Sequence, residues 1–303
     1  MIAFGCSITD VEAYQRYAEP GLRLAAEPDS EILAFSAAGL NGTGSIFRNY
    51  NLLLEAAAKL NDLEALVLIH QDAEIADPDF CAKVRESLRD PDVAIVGCAG
   101  AIGVRNIAWW DGSVTCATFT HQYEEYGGGE IVGSTWDLTD APPQARFGEV
   151  DVIDGFMMAV SPWLIREIRF DEALGQFHGY DFDICQQVRA AGKKVVTQHL
   201  RVIHHHSLEL ITDVEGWMAA HMRVAEKWDG RIPSMARPGD WKERARLAEA
   251  QADAAMMQAN AAELNKDAAC LAMKREVEEM RGSTSWRMTS PVRWLGRRVK
   301  RAR

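Results

Sequence analysis

Four segments of this chain are nearly continuously apolar: residues 2–9 (IAFGCSIT), 32–37 (ILAFSA), 65–69 (ALVLI) and 93–97 (VAIVG). A strand with one wet face alternates apolar and polar residues, and these segments offer water almost no face at all. They demand cover on both sides. The intervening sequence supplies it: Ser45 caps a helical pattern running to about Lys59, and Asp77-Pro78 opens another through about Leu88. Strand and helix in alternation predict an α/β fold, a mainly parallel sheet with helices on both faces.

From 105 to 148 the pattern loosens, with Trp109-Trp110, a Gly127-Gly128-Gly129 tract and Pro142-Pro143, as in loops and short antiparallel strands. Order returns over Val150–Ser161, followed by an Asp/His-rich turn at 171–181 and a helix over about 181–191 stopped by Gly192. A strand, 194–203, runs into His204-His205-His206, and a helix over about 213–228 completes a domain of residues 1–235. Beyond it, Leu247, Ala250, Ala254, Met257, Ala261, Leu264, Ala268 and Leu271 alternate three and four apart. That narrow seam predicts a helical coiled-coil segment over 243–281, pairing copies into a homo-oligomer.

Residues 282–303 hold seven basic residues and no acid, leaving 26 basic against 44 acidic residues elsewhere. So acidic a body excludes nucleic acid as a partner, because phosphate backbones are bound by dense Lys and Arg. The longest apolar run, Val93–Val104, has 12 residues, and a membrane-spanning helix needs about 20. No secretory pattern opens the sequence, so the expected location is cytoplasmic. The six cysteines form no CxxC pair and read as small core residues.

Ligands of α/β sheets bind at the carboxyl ends of strands. His70-Gln71-Asp72 follows ALVLI directly, and Asp72 is either a loop cap or a carboxylate that holds a divalent cation against a diphosphate. His204 and His206 share one strand face, the spacing of a metal-ligand pair or of a partly exposed polar strand end. Asp181 falls on a stripe with Ile184, Cys185 and Val188, which predicts the buried face, whereas Asp183 falls with Gln187. A carboxylate on an apolar face is raised toward base-like pKa values, so Asp181 is the general-base candidate. Trp109 and Trp110 either stack on sugar rings or fill a loop core. Gly39-x-x-Gly42-x-Gly44 has neither P-loop nor GxGxxG order and serves to shape a turn.

Taken in order, these elements resemble the inverting glycosyltransferases of family two, of GT-A fold, over roughly residues 2–207. Asn51 with Ala56-Ala57 is similar to that family's N…A helix. LVLIHQDAEI resembles its metal-binding strand end, with His70 where the first of two aspartates is expected and Asp72 as the second. VIDGFMMAVSPWLI is similar to the strand bearing an acceptor-site glycine, Gly155. FHGYDFDICQQVRAAGKKV resembles the Glu-Asp-x-Asp helix ending in R-x-x-G, with Tyr180 replacing the Glu and Asp181 at the catalytic-base position. RVIHHH resembles the strand ending in a metal-ligating His, here His204. The His-Gln-Asp variant and the HHHS ending resemble a divergent branch grouped with streptomycin-biosynthesis proteins.

The resemblance implies metal-dependent, inverting transfer of a sugar from a nucleoside-diphosphate donor to a hydroxyl of a glycan or lipid-linked acceptor, in surface polysaccharide assembly. Asp181 would deprotonate that hydroxyl, and Asp72, His204 and His206 would hold Mn²⁺ or Mg²⁺. Cys6, Ser7, Phe35, Ser36 and His70 would flank the nucleotide-sugar, with Gly155, Trp109 and Trp110 toward the acceptor. The end of the chain resembles a segment attached to many bacterial polysaccharide-assembly proteins. Its Trp286, Trp294 and Leu295 beside a basic cluster suit an anionic lipid surface, an expected peripheral contact with the inner face of the membrane. A competing expectation is a non-catalytic nucleotide-sugar or glycan-binding module assembled through its coiled coil, because His70 and Tyr180 depart from the family's pattern. A nucleotidyltransferase ranks last, since no glycine-rich loop with a following Lys or Arg stands near the first strand.

Overall fold

A computed structural model describes residues 1–36, 44–104, 107–130, 148–206, 213–236 and 239–288, and the chain divides into two units, Met1–Trp241 and Lys242–Arg303. The first is built on a seven-stranded sheet. Its parallel strands are β1 (Ile2–Ile8), β2 (Ile32–Ser36), β3 (Ala65–His70), β5 (Val93–Gly97) and β13 (Lys194–Thr197), and β12 (Met157–Val160) runs antiparallel between β3 and β5. An edge strand, β10 (Gly148–Val150), completes the order β10-β13-β5-β12-β3-β1-β2. The apolar segments lie where their composition requires: β5 and β12 are buried at every position, and β3 at every position before His70. The Ile46–Ala57 helix packs on β1 and β3, and the Phe80–Ser87, Pro162–Glu167 and Tyr180–Ala190 helices pack on β5. The α/β architecture expected from alternation is the one observed.

Two small sheets stand beyond the central one. β4 (Ala73–Ile75), β14 (Val202–His205), β8 (Phe119–Tyr123) and β9 (Gly129–Glu130) form one, and β11 (Val152–Ile153), β6 (Ala99–Ile102) and β7 (Val114–Ala117) form the other. They explain two departures from expectation. The single strand expected over 194–203 is two strands in different sheets, β13 and β14, and the apolar run Val93–Val104 likewise divides into β5 and β6. Each chain segment leaves the central sheet to wall the strand-end face, a turn that periodicity does not reveal.

The helix over Val11–Ala13, Tyr14–Ala18 and Glu19–Ala25, with a π turn in its middle segment, was not evident from the apolar pattern. Asp10 caps it by accepting from the Glu12 and Ala13 N–H groups. Five cysteines are buried as expected, but Cys270 is exposed on the Asp240–Gly282 helix. That helix has 43 residues, and Met257, Leu264 and Leu271 of the seam are exposed along it. Among the described residues no helix is long and apolar enough to cross a membrane. The Gly39 and Gly42 positions, the Pro142-Pro143 pair and residues 289–303 of the basic tail lie outside the described residues.

Asn51 ties the sheet-covering helix to the approach of the site. Its Nδ2 donates to the Phe170 carbonyl and its Oδ1 accepts from the Phe170 N–H, both at 2.9 Å. An Asn51→Ala change leaves both backbone groups of Phe170 buried and unpaired, at a cost of about 2–3 kcal/mol. Thermal unfolding should show Tm lower by roughly 5–10 °C; an unchanged Tm would remove this anchor from the account.

Candidate active site

The ends of β3 and β14 and the start of the Tyr180–Ala190 helix converge. His70 is the last residue of β3, Asp72 lies in the turn to β4, and the antiparallel pairing of β14 with β4 sets His204 opposite Ala73. Asp72 Oδ1 is 3.9 Å from His70 Nδ1 and 3.6 Å from His204 Nε2, and one ligand atom from each residue lies within 4.8 Å of the others. Phe156 stacks on the His204 ring, with centroids 4.6 Å apart and planes at 9°. His204 Nε2 is buried yet has no hydrogen-bond partner. A buried imidazole nitrogen 3.6 Å from a carboxylate, with a second imidazole beside it, is the donor set of a divalent cation, so the residues present fit one. Burial pushes the Asp72 carboxyl up, but the His204, His70 and His206 imidazoles outweigh it and hold Asp72 well below the usual carboxylate range. Burial lowers the His70 pKa and favours its neutral, ligating form.

The helix start carries the second chemical group. Asp181 Oδ2 accepts from the Gly155 N–H at 3.1 Å, and Oδ1 from the Phe182 N–H at 2.8 Å. Burial, and next the negative charge of Asp154, raise Asp181 from 3.8 to about 7. Asp154 is itself clamped, accepting from the Trp109 indole N–H at 2.5 Å and from the Phe156 N–H at 3.0 Å. A carboxyl held half-protonated near neutrality has the proton affinity of a general base.

The stripe argument for the two aspartates is corrected. Asp183, expected on the open face, is fully buried, and Asp181 keeps partial exposure at the mouth of the site. The Val214–Trp228 helix covers the Asp183 face: Asp183 accepts from Trp228 Nε1 and Gln187 Nε2, both at 2.7 Å, and pairs with Lys227 Nζ at 2.8 Å. Asp183 is a structural anchor.

Other expected residues are distributed as follows. Ser7, His70 and Asp72 line a cavity of about 110 Å³ with Asn49 and Phe177, and Asn49 Nδ2 donates to Ser7 Oγ at 2.8 Å. Cys6 is corrected to a core residue: it is fully buried, and burial pushes its thiol up to about 12. Phe35 and Ser36 pair through β2 with Ser7 and Ile8, and their side chains lie outside the description. The His206 ring is 5.4 Å from that of His204 and stands outside the three-residue ligand group, in which His70 takes part. Trp109 is buried in the loop core, and Trp110 is 42% exposed. Sequence reasoning missed Asp154, directly before Gly155, and His121, which β8–β14 pairing sets beside His204. Burial lowers the His121 pKa to about 4. Position after a strand could have singled out Asp154; nothing local marks His121.

The model of the glycosyltransferase-like family matches residues 10–222, and the chain belongs to that family. It is 28% identical over 217 residues to the streptomycin biosynthesis protein StrF of Streptomyces griseus, covering 68% of this chain and 67% of that protein. It is 25% identical over 189 residues to the O-antigen biosynthesis protein RfbC of Myxococcus xanthus, covering 56% of this chain but 13% of that longer protein. Among solved structures it resembles GalNAc-T7 with UDP, GalNAc and Mn²⁺, with a TM-score of 0.50 and 11% identity over 76% of this chain and 48% of that one. The shared architecture is the GT-A fold.

Two outcomes follow from the packing. A Cβ at Gly155 would collide with the Tyr180 ring, so Gly155→Ala should cost about 1–3 kcal/mol by overpacking and lower turnover by about 100-fold through misplacement of the site. Retained turnover would contradict the close fit. Asp181 gains stability by staying neutral: that contribution is complete below about pH 4 and is lost as pH rises through 7. Asp181→Asn should therefore unfold at a Tm several degrees above the parent at pH 8, the gap closing toward pH 4; a pH-independent difference would refute the raised carboxyl.

Proposed function

We propose that this glycosyltransferase moves a sugar from a nucleoside-diphosphate donor to a hydroxyl of a glycan or glycolipid acceptor, with inversion. The observation that carries this reading is the convergence of a near-neutral carboxyl, Asp181, and a His-Asp-His donor set on one strand-end face. Asp181 accepts the proton of the acceptor hydroxyl as that oxygen attacks the anomeric carbon. The Gly155 and Phe182 N–H groups fix the direction of its lone pairs, and Asp154 keeps its basicity high. Ser7, at the end of β1, and Asn49, on the Ile46–Ala57 helix, flank the nucleotide side. His70, Asp72 and His204 would hold a divalent cation, which would supply positive charge against the leaving diphosphate. UDP and Mn²⁺ in the GalNAc-T7 structure, and the O-antigen role in the RfbC name, support the donor class and the setting in surface polysaccharide assembly. The exposed seam of the Asp240–Gly282 helix supports self-association of copies through residues 243–281.

A panel of UDP-, GDP- and dTDP-sugars, each with Mn²⁺ and with chelator, tests the reading by nucleoside-diphosphate release. Release from one donor that stops with chelator is the expected result, and turnover should rise with pH along a limb centred near 7 as Asp181 loses its proton. Asp181→Asn should bind donor normally yet lose about 10²–10⁴-fold in turnover. Full activity in that variant removes the base assignment, and nucleotide binding without turnover in the parent selects the non-catalytic module.

A further inference from the structure

The two positions that depart from the family's usual pattern touch each other. His70 stands where an aspartate is expected and Tyr180 where a glutamate is expected, and His70 Nε2 lies 2.6 Å from the Tyr180 hydroxyl oxygen. They are 110 residues apart in the chain. The Tyr180 ring has no freedom: it meets Phe47 edge-on at 6.0 Å and Tyr50 edge-on at 5.5 Å, tilts against Phe170 at 6.2 Å, and occupies the space left by the missing Cβ of Gly155. Its hydroxyl is therefore a fixed point to which the His70 ring is tied. The other His70 nitrogen, Nδ1, faces Asp72.

We propose that Tyr180 is a positioning residue for the cation site, holding His70 in the tautomer that leaves Nδ1 free to ligate. An imidazole that binds a metal through one nitrogen carries its proton on the other, and the partner of that N–H sets the ring's tautomer and orientation. Here Nε2–H donates to the Tyr180 hydroxyl oxygen, and the Nδ1 lone pair points to the cation shared with Asp72 and His204. The exchange of two carboxylates for a His–Tyr pair has a chemical consequence. A set of two imidazoles and one carboxylate prefers Mn²⁺, Co²⁺ or Zn²⁺, whereas Mg²⁺ favours all-oxygen ligands. The site thus selects a transition ion over Mg²⁺. This inference rests on the proposed cation site, but its test needs neither donor nor acceptor.

Titration calorimetry of the full chain with MnCl₂ and with MgCl₂, without nucleotide, reads it directly. The parent should bind Mn²⁺ more tightly than Mg²⁺. Tyr180→Phe keeps the ring and removes the hydroxyl; it should weaken Mn²⁺ binding about 10–100-fold with near-parent Tm of the metal-free protein. Electron spin echo measurements on bound Mn²⁺ should detect two coordinated imidazole nitrogens in the parent and an altered set in Tyr180→Phe. His70→Asp should bring the Mn²⁺ and Mg²⁺ affinities at least about 10-fold closer together. Parent-like Mn²⁺ affinity and nitrogen couplings in Tyr180→Phe would overturn the positioning role, as would a parent that binds no Mn²⁺. Sugar transfer failing while these affinities hold would count against the transferase reading alone.

Discussion

A sheet covered on both faces has no lateral surface at which polar chemistry can meet water, so function is confined to the ends of its strands. That constraint organises this molecule. β3 is buried at each position until His70, and β12 is buried throughout its length, immediately after Asp154, Gly155 and Phe156. The polar residues begin where the cover stops. The two small sheets and the start of the Tyr180–Ala190 helix then close around these ends, making a partly dry site in which charge interactions count for more than in bulk water.

Within that site, one contact chain links the two chemical groups. The Gly155 N–H holds Asp181, the absence of a Gly155 side chain admits the Tyr180 ring, and the Tyr180 hydroxyl holds His70. Asp181 and the His70–Asp72–His204 group are thus registered through a single glycine. Asp183, two residues beyond Asp181, anchors the same helix to Lys227 and Trp228, so the helix start cannot shift without breaking a buried ion pair.

Much of this was legible in the sequence, for identifiable reasons. Continuous apolarity announced the central strands, and a strand-end position or helix start singled out Asp72, His204 and Asp181. What failed were inferences needing a distant partner. Helical periodicity put Asp183 on an open face, because nothing local announces that Lys227 and Trp228 will cover it. The change of sheet after β5 leaves no break in the apolar pattern, and after β13 the only break is the short, mainly polar stretch Gln198–Arg201, too brief to announce a second sheet. His70 is expected beside the nucleotide and does line the cavity with Ser7, but its place beside Asp72 and His204 and its tie to Tyr180, 110 residues away, have no local signal. Cys6 was placed beside the nucleotide although its side chain points into the core; in a strand covered on both faces, alternation does not distinguish a pocket wall from the interior.

The proposed chemistry depends on His70, Asp72 and His204 together holding a divalent cation beside Asp181. Anomalous diffraction at the manganese edge, on crystals grown with Mn²⁺ and a nucleoside diphosphate, tests it most directly. One strong peak is expected, coordinated by His70 Nδ1, Asp72 and His204 Nε2 and by diphosphate oxygens, with the His70–Tyr180 contact intact. A peak with other protein ligands, or a bound nucleotide with no peak among these three residues, would contradict it.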